Sequence, residues 1–156
     1  AVSTNIIPID VDQIADVENV KIGQVPGYDA FFNQSSKLLD TLNMTLSKLS
    51  LGNHYESTYL CSETIFDNPN KLSHLINEGK IMGIEGNVVF DSESAGAALV
   101  CATFDVPFIA VKVVECAFDK KSNIDSYVSV LKKYSSVGKA VMSFIGEIGR
   151  SDLIED

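Results

Sequence analysis

Glu93 stands in the stretch FDSESAGAALVCATF (90–104), between an apolar run and a segment of small residues. Glu115 and Asp119 close the next apolar run, VPFIAVKVVECAFD (106–119). A carboxylate beside buried segments is costly unless it is paired or used, so these acids mark where chemistry is expected. Ser92 precedes Glu93, and Cys116 follows Glu115. A carboxylate can accept from two hydroxyl donors at once, or donate a proton when its pocket tunes its pKa. A thiol, with a reference pKa of about 8.5, is a weak donor.

Other chemistries find little support. His54 and His74 lie twenty residues apart in different predicted elements, which suggests neither a Ser–His–Asp arrangement nor a two-histidine metal site. Cys61, Cys101 and Cys116 are an odd set without a CxxC pair, so no disulfide framework, zinc site or other metal is expected, and no cofactor. Reduced thiols fit a cytoplasmic protein. The net charge is −9, from 21 acids against 12 bases, with no basic cluster larger than a pair such as Lys120–Lys121, which argues against a nucleic-acid partner. No apolar run approaches the roughly 20 residues that cross a membrane. With 156 residues, 46% of them hydrophobic, the chain is long enough for one domain with its own core.

The elements that must position these acids alternate between strand and helix. Residues 1–33 read as irregular around the turn VPGYD (25–29). A helix follows, capped by Ser35 or Ser36, with Leu38, Leu39, Leu42, Leu46 and Leu49 on one face and Gly52 at its end. Tyr55–Ser62 alternates as a strand, and Asn68 and Pro69 open a short helix ending at Gly79. Residues 84–90 form a strand and SESAGAALVCATF a helix; VPFIAVKVVE reads as a central strand buried on both faces. The last helix spans about 124–148, with a stripe of Tyr127, Val130, Leu131, Tyr134, Val137, Gly138, Val141, Met142 and Ile145. The expected fold class is α/β, part of a mixed, mostly parallel sheet flanked by helices. Ligands in such sheets bind outside the carboxyl ends of the strands, so the loops 63–68, 91–93 and 115–119 should open on one edge.

The order and spacing of GQVPG (23–27), ETIFDN (63–68), DSESA (91–95), VCATFDVPF (100–108) and YSS (134–136) resemble the later part of the nucleoside phosphorylase and nucleosidase superfamily, most closely the 5′-methylthioadenosine/S-adenosylhomocysteine nucleosidases. The resemblance covers nearly all of this chain and only the later part of the family's. It implies that residues 1–156 are a single domain, the later part of a longer nucleosidase-like domain. The family's glycine-rich front, with the acid that helps activate the attacking water, has no counterpart here. The opening AVSTNIIPID, without an initiator methionine, fits that expectation.

The resemblance also implies site residues. Glu93 matches the family glutamate that hydrogen-bonds the ribose hydroxyls, and Ser92 stands where nucleosidases carry methionine beneath the sugar. Ile65 and Phe66 match the loop pair that holds adenine; Pro26 matches a proline that reaches the partner's pocket in dimeric members. Cys116 takes the place of the aspartate that protonates the leaving purine, which leaves Glu115 as the nearest substitute acid. Glu115 would turn in toward the site only if a bulge or loop breaks the alternation there. Asp119 reads as a solvated loop acid, and Lys112 holds a position that is often arginine. The expected activity is hydrolysis of the N-glycosidic bond of an adenine nucleoside by a homodimer. The alternatives are a nucleoside phosphorylase, a non-catalytic nucleoside-binding or storage-type member, and an α/β interaction domain that shares the fold alone.

Overall fold

The computed structural model describes residues 1–9, 22–25, 27–29, 32–50, 54–62, 86–114 and 124–150, together with residues 73, 77, 81, 83 and 84. Among the described residues four strands form one sheet: β1 (Val2–Pro8), β2 (Phe32–Asn33), β3 (Glu56–Cys61) and β4 (Asn87–Asp91), in the spatial order β2-β1-β3-β4. β1, β3 and β4 are parallel, in a register that pairs Pro8 with Cys61 and Cys61 with Asp91, while β2 runs antiparallel on β1. Among the described residues the continuous helices are α1 (Ser36–Leu49), α2 (Ser94–Thr103) and α3 (Ile124–Ile148). The expected mixed, mostly parallel sheet with flanking helices is therefore present. Among the described residues no helix is long and apolar enough to cross a membrane.

The two-residue period of the strands sorts their side chains between two faces. Tyr59 and Cys61 of β3, Val89 of β4 and Ile6 of β1 pack against Ala95, Ala98 and Leu99 of α2, whose small residues let the helix lie close. Leu60, Val88, Phe90 and Ile7 face the other way, onto Ile22, Ile81 and Ile84. A third cluster joins Val2 to Leu42 and Leu46 of α1 and to Ala140 and Phe144 of α3.

Three sequence expectations are corrected. Residues 1–33 are not irregular throughout, because β1 is an interior strand, almost wholly buried and paired on both edges. The segment Val106–Val114 is not a central strand. It makes one antiparallel bridge, Val111 to Val2, and the Ala110 N–H donates to the Ser3 hydroxyl (2.9 Å) where a ladder would need a backbone carbonyl. The ladder stops there, and Val106 and Val114 are left about half exposed. On the part of α3 whose side chains are described, residues 136–148, Ala140 and Phe144 are buried, while Val141, Met142 and Ile145 from the expected stripe are exposed, since α1 docks on the neighbouring face.

Other boundaries hold closely. Ser35 caps α1, its hydroxyl accepting from the Leu38 N–H (3.4 Å), but the helix ends at Ser50, left-handed at φ 51°, ahead of the expected Gly52. Gly52 lies outside the described residues, as does the helix expected from Asn68 and Pro69 to Gly79, apart from helical Ser73 and Asn77. The VPGYD turn is present: the Tyr28 N–H donates to the Val25 carbonyl (3.0 Å), and Gly27 has φ 86°, a conformation that favours glycine. Phe32, beside that turn, is buried in the core next to Tyr28, with ring centroids 6.0 Å apart.

Candidate active site

β3 and β4 end side by side, so the loops that follow Cys61 and Asp91 leave from the same edge of the sheet. At that edge Asp91 is the last residue of β4, and its side chain folds over the start of α2. Asp91 Oδ1 accepts from the backbone N–H groups of Glu93 (2.9 Å) and Ser94 (2.8 Å), and Oδ2 from the Ser94 hydroxyl (2.5 Å). Helix starts leave such N–H groups unsatisfied, and a short acidic side chain is well suited to take them. Glu93, the residue at the cap position of α2, makes no side-chain cap hydrogen bond. Its carboxylate is thereby free for another role.

That carboxylate is exposed but held. Glu93 Oε2 lies 2.7 Å from Lys112 Nζ, and Oε1 accepts from the Ser92 hydroxyl at 2.8 Å. Lys112 Nζ also lies 3.0 Å from Asp91 Oδ2, so one ammonium bridges two carboxylates. The side chain of Asp91 is only 3% exposed, against 74% for Glu93 and 35% for Lys112. Beneath the pair, the Cys61 thiol donates to Asp91 Oδ1 (3.3 Å).

The charge states follow from these contacts. Burial by itself would raise the Asp91 pKa, but hydrogen bonds from Ser94 and the Lys112 ammonium outweigh it and hold the carboxyl at about 2. Lys112 and then Ser92 hold Glu93 below the ordinary glutamate range. Burial would lower Lys112, yet its bonds to Glu93 and Asp91 carry it above its ordinary value. Burial, with the Asp91 charge second, pushes the Cys61 thiol up to about 12 and raises the Tyr59 phenol. The cluster is thus two carboxylates and one ammonium in their charged forms near neutral pH, lying over a neutral thiol.

Asp91 gives a direct stability test. Its folded pKa of about 2 lies below the ordinary 3.8. The contribution is therefore fully present above about pH 4, worth about 2 kcal/mol, and is lost as the pH falls through the folded value. Asp91→Asn is expected to lower unfolding stability in urea by about that amount at pH 7, and the gap to the wild type should close on acidification. A gap that stays constant from pH 7 to pH 2.5 would contradict the charge assignment.

Of the residues expected at the site, Ser92 and Glu93 meet at this edge, and Glu93 is joined by Lys112. Pro26, Ile65, Phe66, Glu115, Cys116 and Asp119 lie outside the described residues. Sequence reasoning missed Asp91 as the anchor of the cluster, although the Asp-x-x-Ser spacing of DSES is a capping signal that could have found it.

No family model matches the chain. A curated relative, the 5′-methylthioadenosine/S-adenosylhomocysteine nucleosidase of Bacillus pumilus, is 25% identical over 124 residues, covering 79% of this chain and 50% of the relative. Among solved structures, the Campylobacter jejuni 5′-methylthioadenosine/S-adenosyl homocysteine nucleosidase matches with a TM-score of 0.74 at 18% identity, over 94% of this chain and 60% of that one. Futalosine hydrolase of Helicobacter pylori matches with a TM-score of 0.74 at 18% identity, over 94% and 59%. The chain spans about half the length of the curated relative. These comparisons match the resemblance read from the sequence: the chain has the fold of the nucleoside phosphorylase/nucleosidase superfamily and is similar, in sequence and in structure, to its nucleosidases.

Proposed function

We propose that this chain forms the sugar-holding side of a site that hydrolyses the N-glycosidic bond of a nucleoside, with an adenine nucleoside such as 5′-methylthioadenosine or S-adenosylhomocysteine as substrate. The observation that carries the reading is Glu93, whose exposed carboxylate is fixed by Lys112 at the carboxyl edge of the parallel strands. A carboxylate accepts from two vicinal hydroxyls, and those bonds can strengthen as the sugar moves toward an oxocarbenium ion. The similarity to 5′-methylthioadenosine/S-adenosylhomocysteine nucleosidases supports an adenine nucleoside, and the similarity to a futalosine hydrolase supports futalosine as another substrate.

In this mechanism the electrons of the C1′–N9 bond pass to the departing base, which takes up a proton, while water adds at C1′. Glu93 holds the sugar, and Ile65 and Phe66 hold the base. The proton comes from Glu115 or from a group beyond this chain, since Cys116 occupies the expected acid position. Residues 1–156 act as one domain, the later part of a longer nucleosidase-like domain, whose other part would supply the group that activates water. Incubating the protein with 5′-methylthioadenosine and measuring free adenine by chromatography tests the reading. Release that needs added phosphate would reassign the reaction to a phosphorylase.

Cys116 and Ser92, where nucleosidases carry aspartate and methionine, favour a second reading: a nucleoside-binding member that kept the sugar holder and lost the acid. Binding of 5′-methylthioadenosine without release of adenine would select it. Both readings place the protein in the cytoplasm as a homodimer, with Pro26 reaching the partner subunit's pocket. Light scattering that shows only monomer at micromolar concentration would remove the dimer from either reading.

A further inference from the structure

We infer that Lys112 is a positioning residue for Glu93, fixing the orientation in which its carboxylate meets the ligand's hydroxyls. This rests on the reading of Glu93 as the sugar holder. A glutamate that is 74% exposed would ordinarily sample many rotamers and lose that freedom when it binds. Here it is tied through a series of anchors. Asp91 is locked at the end of β4 by the N–H groups of Glu93 and Ser94 and by the Ser94 hydroxyl. Lys112 is tied to Asp91 by its ammonium and to the Ala1 carbonyl by its backbone N–H (2.9 Å). The same ammonium then holds Glu93 Oε2 at 2.7 Å.

The arrangement also settles a charge problem. Asp91 and Glu93 are like charges on the same short loop, and an ammonium between them removes the repulsion that would turn Glu93 away. Among the described residues, the groups that face Glu93 are Ser92 from its own loop, Asp91 from β4 and Lys112 from the segment 106–114; Asp91 in turn faces Cys61 and Tyr59 of β3. The Ser92 hydroxyl on Oε1 is the bond that a sugar hydroxyl would replace.

The test uses the full chain with Lys112→Met, which keeps the aliphatic stem, and Lys112→Arg, which keeps the charge, each alone and Lys112→Met also with Glu93→Gln. Carbon-detected NMR follows the Glu93 carboxyl through its titration, and calorimetry measures adenosine and 2′-deoxyadenosine binding. Lys112→Met is expected to move the Glu93 titration up toward the ordinary glutamate range and to weaken adenosine binding about 3- to 10-fold. It should also shrink the preference for adenosine over 2′-deoxyadenosine, while Lys112→Arg restores both the titration and the preference. In the Glu93→Gln background Lys112→Met should add nothing, because the two residues act as one unit. An unchanged Glu93 titration in Lys112→Met, or an equal loss of adenosine affinity with and without Glu93, overturns the inference alone. A wild-type protein that does not prefer adenosine over 2′-deoxyadenosine overturns the reading of Glu93 as sugar holder, and the inference with it.

Discussion

Cys116→Asp is expected to raise the rate of base release by the roughly 10²–10⁴-fold that a positioned general acid contributes. A purine leaves C1′ with the electrons of the glycosidic bond, and its departure is slow until a proton neutralises the charge that builds on the ring. A carboxylic acid can be tuned by its pocket to deliver that proton near neutral pH. A thiol, with a reference pKa of about 8.5 and a weak hydrogen-bond donor, cannot do so efficiently. The measurement is free adenine against time from 5′-methylthioadenosine, wild type beside variant. If Glu115 already supplies the proton, Cys116→Asp will change little and Glu115→Gln will lower turnover with little effect on affinity, the pattern of a group that acts in the transition state. If the protein binds the nucleoside and stays inert after Cys116→Asp, the hydrolase reading fails and the binding-protein reading stands.

Glu93→Gln is expected to lower kcat/KM about 100-fold, with affinity and turnover falling together. The amide keeps the size of the side chain but replaces one acceptor oxygen with an NH2 donor and loses the charge, so it cannot give each of two vicinal hydroxyls its own charged acceptor. It also cannot form the ion pair with Lys112, so the orienting contact is lost along with the charge. Glu93 is exposed and makes no cap hydrogen bond, so the fold should be untouched. The far-ultraviolet circular dichroism and the urea midpoint should match those of the wild type. Nucleoside affinity and turnover within twofold of the wild type would remove Glu93 from the site.

Much of this was legible in local pattern. The alternation of Tyr and Leu in ESTYLC marked β3 to within one residue at each end, because a strand with two unlike faces writes its period into the sequence. The small residues after DSES marked α2, and the periodic run from Ile124 marked α3. The fold class followed from the order of these elements, and Glu93 became a candidate from its place after a strand.

The rest depended on contacts between residues far apart in the chain. VSTNIIP carries Ser, Asn and Pro and shows no clean period, yet it becomes an interior strand because β2 and β3 pair with its two edges. VPFIAVKVV is as apolar as a buried strand should be, but at Ala110 its N–H meets a serine hydroxyl, and no run of residues foretells that. The apolar side chains of α3 cover a broad arc, and only the docking of α1 decided that Ala140 and Phe144 would be buried and Met142 exposed. The sequence by itself determined β3, β4 and the three helices and singled out Glu93 as a candidate, since periodicity and capping act over a few residues. The tertiary structure alone decided that Lys112, nineteen residues from Glu93, would bridge it to Asp91, because an ion pair depends on distance in space, which only the packed chain sets.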